Sequence, residues 1–248
     1  MSVYAGPADW WTDGTNDGRT HIATKGVVQS GLVLNLDAGV SSSYPGSGTT
    51  WTDLSSNSNN GTLTNGPTYS SANGGSISFD GVNDYVETNY VLPSSTSHTM
   101  ELWAKSSVGN GYGNRAMGNA DSTAGLSGTS IIWGGGASTQ LYVARRSGVN
   151  NATTDMSYTV SDLLTRVHHV VITYDHASTG SKLFVDGVQV ATNANLGFTG
   201  SLTFRIGRDG NGTDAFNGNI YSAKLYNRAL TAAEVSQNFN ALRGRFGI

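Results

Sequence analysis

The sequence predicts an all-β protein, a two-sheet antiparallel jelly-roll sandwich closed by a short C-terminal helix. Three observations carry this expectation. Short runs of alternating apolar and polar residues recur along the chain, separated by turn-forming glycine, asparagine and aspartate. Glycine accounts for 33 of the 248 residues and charged residues for only 12%, which suits many tight turns and a weakly charged polar surface. Helix start and stop signals occur together in one place, between Thr231 and Gly244.

The elements follow in order. Residues 1–30 stand apart, with Trp10-Trp11, Asp9, Asp13, Asp17 and several glycines, and no alternation before Ile22. Two adjacent tryptophans are costly to leave in water, so this stretch is expected to be an arm ordered by docking, with Trp10 and Trp11 as an assembly contact. The alternative is that they plug the end of the sandwich. The domain proper is then 31–248. Gly31 to Asp37 alternates cleanly and reads as the first core strand. Trp51 to Leu54 is short, and Ser55 to Gly61 is rich in turn formers. Ser76–Phe79 and Tyr85–Thr88 flank the turn Asp80-Gly81-Val82-Asn83-Asp84. Met100, Leu102 and Ala104 face one way, and Glu101, Trp103 and Lys105 the other.

Ser106 to Ser130 is glycine-rich and reads as a long loop or irregular strands. Ile131–Trp133, Leu141–Val143 and Met156–Val160 are short strand candidates, and Val170, Ile172 and Tyr174 alternate with Val171 and Thr173. Asp186-Gly187, enclosed by Leu183-Phe184-Val185 and Val188-Gln189-Val190, is the strongest two-residue hairpin signal. Leu202–Gly207 supplies a further strand. In the closing unit Tyr221, Ala223 and Leu225 are expected on one face and Ser222 and Lys224 on the other. After a break at Asn227-Arg228, Thr231 and Glu234 have the spacing of a capping box. Val235, Phe239 and Leu242 form an apolar stripe, and Gly244 is placed to end the helix.

The stretch from Phe216 to Val235, FNGNIYSAKLYNRALTAAEV, resembles the closing motif of laminin-G-like, concanavalin A-like jelly-roll domains. Ser78 to Val86, Met100 to Lys105 and His168 to Val190 match that family in the expected order, so that the similarity covers roughly Gly31 to Arg243. The family usually has an acidic residue after the isoleucine of the closing strand, whereas Asn219-Ile220-Tyr221-Ser222 has none. The early run from Lys25 to Val86 and the ending NFNALRGRFGI are further similar to laminin-G-like virion proteins of tailed bacteriophages.

Composition excludes several functions. A formal charge of −3, with 14 scattered basic residues, gives no nucleic-acid footprint. Without cysteine there is no disulfide framework. The N-terminal residues lack a basic start and an apolar run, and no apolar run approaches a membrane span. The expectation is a protein made in a cytoplasm, with neither a nucleic-acid nor a membrane partner.

Catalysis by two carboxylates needs them close together. None of the three glutamates, Glu87, Glu101 and Glu234, has a carboxylate two residues away, so glycoside hydrolysis is the least supported alternative. His168 and His169 point to opposite faces of a strand and cannot share one metal ion. Gly207 to Gly212 follows a strand without opening a helix, so it is a turn rather than a phosphate cradle. No cofactor is expected. A structural calcium ion is open, because Asp37, Asp80, Asp84, Asp209 and Asp214 lie in turns. Trp103, Trp133, Tyr112 and Tyr142 are candidates for a glycan-stacking platform. The expected function is therefore a non-enzymatic structural or adhesive protein displayed on a bacteriophage virion, on the head or as a fibre or tail component. Its partners would be other virion proteins, its own copies and a cell-surface glycan. The alternative is a free-standing lectin-like module.

Overall fold

The computed structural model describes residues 26–93, 95–106, 108–109, 114–119, 128–134, 139–146, 152–178, 180–193, 202–208 and 214–248. The strands of the first half are β1 (Leu32–Asp37), β2 (Thr50–Trp51), β3 (Gly61–Thr64), β4 (Thr68–Ser70), β5 (Ser76–Asp80), β6 (Tyr85–Leu92), β7 (His98–Lys105) and β8 (Arg115–Gly118). Those of the second half are β9 (Gly128–Trp133), β10 (Gln140–Arg146), β11 (Ala152–Thr159), β12 (His168–Asp175), β13 (Gly180–Val185), β14 (Val188–Asn193), β15 (Leu202–Ile206) and β16 (Asn217–Tyr226). One helix follows, α1 (Ala232–Leu242), with a 3-10 turn over Arg243–Phe246.

The strands form two antiparallel sheets. The first runs β14-β13-β12-β7-β16-β5-β4, with β1 also paired to β16, and the second runs β11-β10-β9-β8-β15-β6-β3-β2. The core lies between them. Met100, Leu102 and Ala104 of β7, Val170 and Ile172 of β12, and Ile220, Ala223 and Leu225 of β16 meet Val86, Phe204, Ile206, Met117, Trp133 and Leu141 of the second sheet. This is the aligned two-sheet sandwich that period-2 patterning demands.

The Asp186-Gly187 hairpin forms as expected. Both residues take positive φ, 50° and 78°, the mirror-image turn whose twist matches its strands. A side chain on Gly187 would also strike the Phe239 ring, 2.9 Å from where its Cβ would lie. The capping box forms in full: Thr231 Oγ1 accepts from the Glu234 backbone N–H, and the Glu234 carboxylate accepts from the Thr231 N–H at 2.8 Å.

Two local expectations are corrected. A bulge between Ile220 and Ser222 turns Tyr221 outward, so Ile220 joins Ala223 and Leu225 in the core and Tyr221 packs against Trp103 instead. Gly244 does not end the helix: the chain passes into the 3-10 turn, and Gly247, at φ 69°, takes the left-handed capping position. Within the stretch read as loop or irregular strands, residues 115–118 and 128–130 are strand, with a register break between Arg115 and Met117, which is the second of those alternatives.

The described residues that precede Gly31 pack against α1. The Val28 side chain is buried, its N–H donates to Asn238 Oδ1 at 2.8 Å, and Gly26 O accepts from Gln237 Nε2 at 2.8 Å. Trp10 and Trp11 lie outside the described residues.

Candidate functional site

The two sheets have two outer faces, and the sequence treats them differently. On the first sheet, the residues alternating with the core set are Glu101 and Trp103 of β7, His169 and Val171 of β12, and Lys224 and Tyr226 of β16. Helix α1 lies over them. Val235 closes on Val171, Phe184, Tyr226 and Leu230. Phe239 stacks on Trp103 with ring centroids 5.7 Å apart and planes 2° from parallel, and Phe246 stacks on the same indole at 4.7 Å.

Burying this face also buries charge. Glu101 is 0% exposed, Lys224 1%, His169 0% and Asn238 0%. Lys224 and Glu101 are cross-strand partners, which brings their termini together. Lys224 Nζ and His169 Nε2 each lie 3.4 Å from Glu101 Oε1, and Asn238 Nδ2 donates to Glu101 Oε2 at 2.5 Å. Desolvation pushes the Glu101 carboxyl up, but Lys224, His169 and Asn238 together outweigh it and hold the group at about 2. The same environment, desolvation first and then the Glu101 charge, drives the Tyr226 hydroxyl well above its ordinary range.

At the end of β12, His168 and His169 do point to opposite faces. His168 Nδ1 meets Asp186 Oδ2 at 3.0 Å, and Arg166 Nη2 donates to the same oxygen at 2.8 Å. The Asp186 carboxyl, which also accepts from the His169 backbone N–H, is held at about 2, its partners outweighing desolvation. This cluster knits the hairpin to the preceding turn.

No described helix covers the outer face of the second sheet. Val86 and Thr88 of β6 are buried, which turns Tyr85 and Glu87 outward, and Phe204 and Ile206 do the same for Arg205 of β15. Arg205 and Glu87 are cross-strand partners, with Arg205 Nη2 donating to Glu87 Oε1 at 3.0 Å. Two guanidinium groups flank one ring: Arg205 Cζ lies 5.5 Å and Arg208 Cζ 5.3 Å from the Tyr85 centroid. Further along, Arg115, Ile132 and Tyr142 are successive cross-strand partners over β8, β9 and β10. Arg115 Nε donates to Asp214 Oδ2 at 2.8 Å. Tyr142 donates a short hydrogen bond to Gln140 Oε1.

The expected aromatic platform divides accordingly. Trp103 and Trp133 are both 0% exposed: the first is sealed under α1, and the second points into the sandwich beside Phe216 because odd positions of β9 face inward. Neither indole offers a face to a sugar. Tyr142 remains on the outer face of the second sheet, 8% exposed, and Tyr112 lies outside the described residues. Sequence reading missed Tyr85, Glu87, Arg205 and Arg208. The signal was present, because each of the first three alternates with a core residue on its strand.

Four of the five aspartates considered for calcium are engaged elsewhere. Asp37 accepts from Arg245 Nη1 at 2.6 Å, Asp214 from Arg115, Asp80 from the Val82 N–H at 2.8 Å and Asp84 from the Asp80 N–H at 3.1 Å. Asp209 lies outside the described residues. Among the described residues no three His, Cys, Asp or Glu side chains gather to hold a metal ion, and no helix is long and apolar enough to cross a membrane.

Comparison with known proteins agrees with this architecture. The model of the Laminin_G_3 family, described as the concanavalin A-like lectin/glucanases superfamily, matches residues 80–236, more than half of the chain. No curated protein matches it in sequence. Among solved structures it is similar to domain 4 of AbnA, a GH43 extracellular arabinanase from Geobacillus stearothermophilus, in complex with arabinotriose. The identity is 17% and the TM-score 0.63, covering 85% of this chain and 99% of that one. It is also similar to the binding domain of Paraclostridial Mosquitocidal Protein 1, at 14% identity and TM-score 0.61, covering 85% of this chain and 52% of that one. The binding domain of botulinum neurotoxin DC, in complex with rat synaptotagmin II, matches at 14% identity and TM-score 0.64, covering 87% and 52%. The chain thus spans about half the length of these toxin binding domains, and at such identities the likeness is one of fold.

Proposed function

The chain belongs to the Laminin_G_3 family of the concanavalin A-like lectin/glucanases superfamily, and from that premise we propose that it is a non-catalytic binding domain. Its glycan site lies on the outer face of the second sheet, around Tyr85, Glu87, Arg205 and Arg208. One observation carries the reading. This face presents a half-buried aromatic ring beside cationic and anionic hydrogen-bonding groups, while each of the three glutamates is already paired with a cation: Glu87 with Arg205, Glu101 with Lys224, Glu234 with Arg228. A sugar needs an apolar surface for its C–H face and fixed polar groups for its hydroxyls, which Tyr85 and its neighbours supply. A retaining hydrolase instead needs two adjacent carboxyls free to act as acid and nucleophile, and glutamates each engaged by a separate cation do not supply them.

The setting we propose is the surface of a tailed-bacteriophage particle, with residues 1–25 contributing to assembly. The resemblance of Lys25 to Val86 and of the C-terminal segment to virion proteins supports it, together with the absence of cysteine. Residues 26–28 lie against α1, on the outer face opposite the proposed glycan site. That arrangement would attach the domain by one face and present the other.

Glycan-array screening of the full chain, followed by titration of the best ligand, tests the binding. Tyr85→Ala is expected to weaken binding at least roughly tenfold, as losing one stacked ring does, with an unchanged melting temperature. Unaltered affinity in both Tyr85→Ala and Arg205→Ala would place the site elsewhere. Release of reducing ends that Glu87→Gln abolishes would make the protein a hydrolase.

A further inference from the structure

The buried cluster under α1 holds three groups that together can do chemistry: an amine, a carboxamide and a carboxylate touching both. Glu101 Oε2 accepts from the Asn238 amide nitrogen at 2.5 Å, and Glu101 Oε1 lies 3.4 Å from Lys224 Nζ. The Asn238 amide is oriented unambiguously. The Val28 N–H can only donate, so the oxygen of Asn238 faces it at 2.8 Å and the nitrogen faces Glu101 and the Tyr226 hydroxyl, the latter at 2.9 Å. The Lys224 side chain is 2% exposed and that of Glu101 0%, and Asn238 is 0% exposed as a residue. Glu101 Oε1 makes no geometrically satisfied hydrogen bond, and neither does either ring nitrogen of His169, 3.4 Å from that oxygen.

We propose that Lys224 and Asn238 become joined by an intramolecular isopeptide bond, with Glu101 carrying the protons. The Lys224 ammonium passes a proton to Glu101 Oε1, and the freed Nζ lone pair attacks Cγ of Asn238. Charge developing on the carbonyl oxygen is met by the Val28 N–H, already in place as an oxyanion donor. Glu101 returns its proton through Oε2 to Nδ2, the Cγ–Nδ2 bond breaks, and ammonia departs. That transfer restores the carboxylate, which then relays a second proton from Nζ to the departing ammonia, so that it leaves as ammonium. Lysine ammonium plus asparagine amide thus gives a secondary amide plus ammonium, with no oxidant or other reactant. Burial keeps out water, the competing nucleophile, while the first proton transfer runs against the ion pair that Lys224 and Glu101 form at rest.

The product would tie β16 to α1 covalently, sealing the helix on the sheet. The site is complete only once residues 26–28 have docked, because the oxyanion donor belongs to Val28. Folding of the N-terminal entry therefore precedes the bond.

Intact mass spectrometry of the unfolded full-length chain tests this without any variant. The expected mass is that of the sequence less one ammonia. Trypsin should then yield a branched species in which 209–228, uncut at Lys224, is joined to 229–243. Lys224→Arg and Asn238→Ala should each restore the sequence mass, and Glu101→Gln should slow bond formation by roughly 10²-fold or more. Full sequence mass with separate peptides 209–224 and 229–243 after prolonged incubation overturns the proposal. So does an ammonia loss that maps to an Asn-Gly succinimide elsewhere in the chain.

Discussion

The outer faces of the two sheets are made by the same alternation, yet their cross-strand ion pairs end up in opposite surroundings. On the first sheet the outward residues Glu101, Trp103, His169 and Lys224 lie beneath α1 and are 0–1% exposed. On the second, Glu87 and Arg205 form an equally direct cross-strand ion pair whose side chains stay 38% and 23% exposed. The difference teaches that a charge pair on a strand has no fixed meaning. Covered, it costs desolvation and depends wholly on its partners; uncovered, it contributes little to stability and is available to a ligand.

The largest effect that would sharpen this contrast is expected from Glu101→Ala, which strands the Lys224 ammonium in a dry site. Chemical denaturation should show a loss of about 3–5 kcal/mol. A loss below about 1 kcal/mol would mean that water reaches the cluster and that the two faces are alike. Next comes the cover itself. Phe239→Ala removes the ring stacked on Trp103, and about 3 kcal/mol of stability should go with it; a neutral result would detach α1 from the sheet.

Acid should act in two windows. His98 is held neutral by burial at about 4, below its ordinary 6.5, the Thr96 carbonyl offsetting only part of the shift. The unfolded chain therefore binds that proton first, and stability falls as pH drops from about 6.5 toward 4. Glu234 is held at about 2 chiefly by the hydrogen bond from Arg228, so its contribution is present above about 4.5 and is lost as pH falls toward 2. Melting temperature measured against pH should show both limbs, and Glu234→Gln should make only the lower one shallower, because Glu101 and Asp186, also held at about 2, sustain part of it. Smaller again is Thr231→Ala, which opens the capping box at an expected cost of about 0.5–2 kcal/mol. Smallest is Glu87→Ala on the open face, expected within about 0–1 kcal/mol by the same melts. A cost equal to that of Glu101→Ala would erase the distinction between the faces.

Much of this was legible in the chain. Period-2 runs marked most of the strands, Asp186-Gly187 marked its hairpin, and Thr231 with Glu234 marked the helix start, because each of these is a local preference settled within a few residues. The outward positions of Tyr85, Glu87 and Arg205 were equally readable from their buried neighbours. What the pattern could not supply was coverage. Alternation says that Trp103 and Trp133 point away from each other's neighbours, but not that a helix more than a hundred residues later seals one of them while the sandwich interior takes the other.

The sequence by itself determined the class of fold, the hairpin, the capped helix and the absence of a carboxylate pair along any one strand, since these depend on dihedral preference, side-chain period and residue identity. Only the tertiary structure decided that the bulge at Tyr221 reverses one position of β16, that Gly26 and Val28 dock on α1, and that Lys224 and Asn238 meet at Glu101. Those outcomes depend on which surfaces meet. The free energy of burying a face is a property of the pair of elements that close on it, and neither element's own residues encode the other's position.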